Sequence, residues 1–153
     1  MKFNPAKKGE QFENEVEELL IKHNIVYIRE GTKVSRGHQS SKGKCDFQLK
    51  KYAIECKEIG TLNNLTLPGI NRKTKKPYTS TRIQTHQLKY LREQTIKGIV
   101  GYLLIKEITT KLYYAVSMKD LNDILIVNPQ LRTLKDIQEY GIDLEEFILK
   151  LKI

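Results

Sequence analysis

The sequence predicts a mixed α/β domain: a mixed central sheet flanked by helices, in the order αβββαββ, with further helices behind it. Three observations carry the expectation. The chain opens on an apolar stripe at helical spacing, Cys45 to Ile59 alternates as two short strands would, and a second helical pattern separates these from a further strand pair. With 153 residues, 39% of them hydrophobic, the chain has the size of one domain able to bury its own core. We therefore read residues 1–153 as a single unit, with a core over 1–116 and a helical addition over 117–153.

In the first helix, Asn4 suits the N-cap, Pro5 the first helical position, and Phe12, Val16, Leu19 and Leu20 form the apolar stripe until about His23. Its acids Glu10, Glu13, Glu15, Glu17 and Glu18 read for the most part as a solvated face. Glu13 stands apart. At about 100° per residue it lies about 60° from Val16, at the margin of the buried stripe. Ile25 to Ile28 reads as the first strand, and Glu30 to Lys44 as a polar loop. Cys45 to Leu49 and Tyr52 to Ile59 are the next two strands, followed by a long basic connection from Gly60 to Thr81. Arg82 to Lys97 is the second helix, with Leu88 and Leu91 inside and Gly98 as its stop. Ile99 to Ile108 and Leu112 to Val116 are strands. Ser117 suits the N-cap of a short helix through Ile124, and Leu134 to Ile153 reads as two helical segments broken near Gly141.

The chemistry gathers in CDFQLKKYAIECK, Cys45 to Lys57. Residues two apart in a strand share a face, so Ala53, Glu55 and Lys57 lie on one side and Ile54 and Cys56 on the other. A hairpin turning at Lys50 and Lys51 opposes Leu49 with Tyr52, Gln48 with Ala53, Phe47 with Ile54, and Asp46 with Glu55. Directly opposed β-carbons are roughly 4.5–5.5 Å apart, and like charges so placed repel unless something positive lies between them. A divalent cation with hard oxygen ligands, Mg²⁺ or Mn²⁺, answers that need, and Lys57 adds an ammonium on the same face. The plain structural alternative is a surface hairpin whose polar face is in water.

A formal charge of +9, from 27 Lys and Arg against 18 Asp and Glu, favours a polyanionic partner such as nucleic acid over a merely solvated surface. No run approaches the roughly 18 apolar residues of a spanning helix and the N-terminus shows no signal-peptide core, so a soluble, intracellular protein without membrane association is expected. The only two cysteines, Cys45 and Cys56, read as free buried thiols.

At Asp46 and at Glu55, Cys56 and Lys57 the chain resembles the PD-(D/E)XK nucleases, with Cys45 in the place of the variable proline. Gly9, Phe12 and Glu13 match the Gly-x-x-Phe-Glu pattern of the resolvase branches. His86 and Gln87 in "HQLKYL" match a His-Gln pair of RecU-type Holliday junction resolvases and their phage relatives. The likeness runs from about Gly9 to Ile105. The chain is shorter than a typical RecU, its Asp46–Glu55 spacing is tighter, and it has no clear counterpart of the RecU stalk.

The resemblance implies a restriction-endonuclease-like αβββαβ core and a Mg²⁺-dependent endonuclease acting on branched DNA. It implies the cytoplasm of a bacterial or phage-infected cell. Asp46 and Glu55 would hold one or two Mg²⁺ ions (Mn²⁺ as substitute), with the Cys56 carbonyl and Glu13 as further ligands. Lys57 would orient or deprotonate the attacking water. Gln87 either joins the site or is a buried amide capping backbone. Arg72, Lys73, Lys75, Lys76, Arg82 and His86 would contact DNA phosphates, unless the basic run is only a solvated loop. Two other classes stay open, a restriction or repair endonuclease of the same fold and a catalytically idle nucleic-acid-binding module. Resolution of a junction also implies a homodimer, with Leu144, Phe147, Ile148 and Leu151 as one apolar face that either a partner or the protein's own core would cover.

Overall fold

Of the predicted helical stripe, Phe12, Val16 and Leu20 are fully buried and Leu19 partly so in a computed structural model that describes residues 5–29, 45–61, 69–70, 77–78, 83–127 and 135–152. They lie on helix α1 (Pro5–Lys22), the cover of one sheet face. Strands β1 (Ile28–Arg29), β2 (Phe47–Gln48) and β3 (Tyr52–Ile59) follow, then a small hairpin, β4 (Gly69–Ile70) with β5 (Pro77–Tyr78). Helix α2 (Thr85–Ile96) crosses to β6 (Val100–Glu107), which turns into β7 (Leu112–Ser117) and helix α3 (Met118–Val127). A 3-10 helix (Lys135–Tyr140), strand β8 (Gly141–Ile142) and helix α4 (Leu144–Lys150) complete the described elements.

The main sheet has the order β1-β2-β3-β6-β7-β8. Every neighbouring pair is antiparallel except β3 and β6. A parallel pair needs a crossover, and α2 supplies it on one face. Two apolar layers result. Phe12, Val16, Leu20, Phe47, Ile54, Leu104, Phe147 and Ile148 pack on the α1 and α4 side. Ala53, Ile83, Leu88, Leu91, Leu103, Val116, Met118 and Leu121 pack on the α2 and α3 side. The end of α1 is tied to the start of α4 by Glu145, which accepts from Lys22 Nζ at 2.8 Å and lies 3.0 Å from His23 Nε2.

Several expectations shift. β1 lies at Ile28–Arg29 rather than Ile25–Ile28, and β2 covers only Phe47–Gln48 of the predicted Cys45–Leu49. Among the described residues α2 begins at Thr85, after Gln84, whose N–H donates to Gln87 Oε1 at 2.9 Å; the predicted start, Arg82, lies outside the described residues, as does Asn4. Gly98 ends α2 at φ +87°, the left-handed geometry a helix stop uses. Ser117 Oγ accepts from Asp120 N at 3.0 Å, as an N-cap should, but α3 runs on to Val127. In the tail the first predicted helix is a 3-10 helix, and Gly141 starts a strand because its segment pairs with Tyr114 on the β7 edge. Leu144, Phe147, Ile148 and Leu151 are all buried in the layer beneath α1, so the protein's own core covers the face that could have met a partner.

Gly101 sets how closely α2 and α3 approach the sheet. A β-carbon there would stand 2.9 Å from the Leu91 carbonyl oxygen and 3.1 Å from Met118 Cγ, whereas one at Gly60 would meet nothing within 4 Å. Overpacking a fixed core costs about 1–3 kcal/mol. We expect Gly101→Ala to lower the urea midpoint clearly and Gly60→Ala to leave it within experimental error. Equal midpoints for the two variants would contradict this account of the α2 packing.

Candidate active site

The site starts from the turn between β2 and β3. Leu49 N donates to Tyr52 O at 2.8 Å across the exposed Lys50 and Lys51, which fixes the register Phe47↔Ile54 and Gln48↔Ala53. That register carries Asp46 to the place opposite Glu55. Asp46 itself lies in a bend just before β2, and its Oδ2 accepts from Cys56 N at 2.8 Å. The side chain thus continues a ladder that the backbone of β2 no longer provides. Lys51 O and Ile59 O accept from Val100 N and Ile108 N beyond the opposite edge, so the odd residues of β3 face β6 and the even ones face β2. The Cys56 carbonyl accordingly points to the same edge as its N–H, beside Asp46.

Ala53 packs under α2 while Ile54 and Cys56 pack under α1, so Glu55 and Lys57 project toward α2. Glu55 is 3% exposed. Its Oε1 accepts from Gln87 Nε2 at 2.7 Å and stands 3.4 Å from Lys57 Nζ. Gln87 therefore serves both ends of the expectation: its amide nitrogen holds Glu55, and its oxygen caps the backbone of Gln84. From the other face α1 contributes Glu13, buried at 6% exposure beside Phe12, near enough to Asp46 for that group to raise its proton affinity.

Asp46 thus lies opposite Glu55 at the β2–β3 edge, and the proton affinities of Glu13 and Glu55 record the charge of Asp46 beside them. Burial first, then the hydrogen bond and charge of Asp46, raise the Glu13 carboxyl from 4.5 to about 8, against the pull of Arg29. Burial and then Asp46 hold Glu55 well above the usual carboxylate range, with Lys57 opposing. Cys45 and Cys56 are free and buried. Burial pushes the Cys45 thiol up to about 12 and the Cys56 thiol well above its ordinary value, so both are inert protonated thiols.

Among the described residues no three His, Cys, Asp or Glu side chains already converge as a cation cage. Each carboxylate instead leans on a protein donor: Glu55 on Gln87 and Lys57, Asp46 on the Cys56 amide, Glu13 on Arg29. The donor set nevertheless fits a hard divalent cation. It consists of carboxylate oxygens and a backbone carbonyl at one edge, with no thiolate in reach, which is the chemistry of Mg²⁺ or Mn²⁺ rather than of zinc.

His86 is exposed on the first turn of α2, one position from Gln87 but with no tie to the carboxylates among the described contacts. Arg72, Lys73, Lys75, Lys76 and Arg82 lie outside the described residues; the first four fall between β4 and β5. Glu17 departs from expectation. It is not on a fully solvated face, because its Oε1 accepts from Arg29 Nη1 at 3.2 Å. Arg29 is the site residue that sequence reasoning missed. Its guanidinium also donates to Asn14 Oδ1 at 2.8 Å and to Glu13 Oε2 at 3.4 Å, and the strand predicted at Ile25–Ile28 ended one residue short of it.

No family model matches the sequence, and a search of curated proteins returns no match. The site therefore stands on its geometry.

The raised carboxyls make stability depend on pH. Folded Glu13 keeps its proton up to about 8, while the unfolded chain releases it near 4.5. Its contribution is fully present below 4.5 and is lost as pH rises through about 8. In chelator, the thermal midpoint of the wild type should fall between pH 5.5 and 8.5, and the fall should be visibly shallower in Glu13→Gln. Parallel pH profiles for the two proteins would contradict the burial argument.

Proposed function

We propose that this protein is a divalent-metal-dependent DNA endonuclease of the PD-(D/E)XK kind, with branched, four-way DNA as its preferred substrate. The observation that carries the reading is the placing of Asp46 opposite the buried Glu55 at the β2–β3 edge, with Lys57 3.4 Å from Glu55 and Gln87 holding it at 2.7 Å. A hairpin with no task beyond packing gains nothing from burying a glutamate opposite an aspartate. The order α1-β1-β2-β3-α2-β6, with the acids on β2–β3 and a helix from each face leaning on them, supports the same reading. So does the net charge of +9.

Asp46, Glu55, Glu13 and the Cys56 carbonyl are the groups that would hold Mg²⁺ or Mn²⁺. When bound, such an ion supplies Lewis-acid polarisation of the scissile phosphate and offsets the charge that develops there. The remaining work belongs to the chain. Gln87 fixes the direction of Glu55 by its 2.7 Å hydrogen bond, and the Cys56 amide fixes Asp46. Lys57 Nζ orients the attacking water and offers positive charge to the phosphoryl oxygens as they become more negative. Gln87, Lys57 and the packed strands on which the acids stand are preorganised, so little is reorganised during reaction.

A junction resolvase must cut two strands of like polarity at symmetric places, which one site cannot do at once, so we read the active unit as a two-fold dimer. The test is cleavage of four-way junction, linear duplex, flap and single-stranded DNA in Mg²⁺. Expected are paired symmetric nicks on the junction, lost in Asp46→Asn and Glu55→Gln, with DNA binding in chelator kept or strengthened in both. Full activity in either variant would overturn the nuclease reading. A monomeric protein that nicks linear duplex as readily as a junction would overturn the resolvase part alone.

A further inference from the structure

Arg29 occupies the seam between the two bodies that carry the acids. Its guanidinium donates to three residues of α1, Asn14 at 2.8 Å, Glu17 at 3.2 Å and Glu13 at 3.4 Å. The same group lies over the Phe47 ring, with Cζ 5.9 Å from the ring centroid, and Phe47, the first residue of β2, directly follows Asp46. The side chain is 20% exposed, and its Nε is buried with no hydrogen-bond partner among the described residues. Such a group is held for what its forked end does, since leaving an N–H unsatisfied in the interior is costly.

We propose that Arg29 is a positioning residue: it sets the Glu13 carboxylate beside Asp46 so that a divalent cation meets both, an inference that rests on the metal-site reading above. The two shorter bonds, to Asn14 and Glu17, fix the plane of the guanidinium. The cation–π contact with Phe47 holds it near the strand. The third, longer contact then leaves Glu13 oriented but only loosely held, as suits a carboxylate that must also serve an ion. The fork divides its bonds between two nitrogens, Nη1 to Asn14 and Glu17 and Nη2 to Glu13, a span that the single nitrogen of an ammonium lacks.

The test is Mn²⁺ binding by the protein alone, followed by calorimetry, with the metal dependence of cleavage as a second readout. Arg29→Met keeps a stem to cover Phe47 and loses the fork. It should weaken Mn²⁺ about tenfold, the size of loss that removing a partner of a metal ligand produces. Arg29→Lys keeps charge without the fork and should lie between the wild type and Arg29→Met. In both, the metal concentration for half-maximal cleavage should rise by a larger factor than the maximal rate falls. A folded Arg29→Met that binds Mn²⁺ as the wild type does would overturn the proposal. So would lost cleavage at every metal concentration with unchanged Mn²⁺ affinity, since Arg29 would then act on DNA. If Arg29→Met does not fold, Asn14→Ala carries the test: it should weaken Mn²⁺ binding, and unchanged affinity would overturn the proposal. Glu13→Gln separates the two levels. Unchanged Mn²⁺ affinity in that variant would bring down the site reading and this proposal together, whereas weakening there with none in either Arg29 variant would bring down the role of Arg29 alone.

Discussion

The hydrogen bond from the Cys56 amide to Asp46 Oδ2, 2.8 Å long, is the constraint on which the site depends. It does for the β2–β3 pair what backbone would otherwise do, at the point where β2 bends away. Without it β3 would carry an unpaired amide at Cys56 in the interior, and Asp46 would be free to turn toward water. With it, the aspartate is fixed beside Glu55 and under Glu13. The tight Lys50–Lys51 turn and the apolar contacts of Phe47 and Ile54 keep the register in which this bond can form.

The arrangement is costly by itself. Two of the three acids are almost wholly buried, and both hold their protons far above the ordinary range because burial and a neighbouring carboxylate disfavour charge. Lys57, Arg29 and Gln87 offset part of that cost without cancelling it. A fold tolerates such a cluster where function needs it, and a cation that enters there is favoured by the same repulsion that burdens the metal-free protein. The energy stored in the site and the affinity for an ion are in this sense the same quantity seen in two states.

How much of this could be read from the sequence follows from the range of each interaction. The hairpin register was legible because Phe47, Ile54 and Cys56 alternate with Asp46 and Glu55 at period two, and period two leaves few pairings that bury the apolar set. Glu13 was legible by angle from Val16 on one helix. Gln87 was half legible: its position near the apolar edge of α2 was clear, but its two partners come from different elements. Arg29 and Glu17 were not legible. Their contact joins β1 to α1, and a two-residue strand has no periodicity that could place its second residue. β8 was missed for the same reason, since Gly141 and Ile142 become a strand only because Tyr113 and Tyr114 offer an edge.

The most direct test of the account is where a metal sits. Crystals grown with Mn²⁺ and measured for its anomalous scattering should show a peak within bonding distance of Asp46, Glu55 and the Cys56 carbonyl, with Glu13 bound directly or through one water. A well-ordered site at saturating Mn²⁺ with no peak there, and with Glu55 still held by Gln87 and Lys57 alone, would contradict the claim that these carboxylates were brought together for a cation.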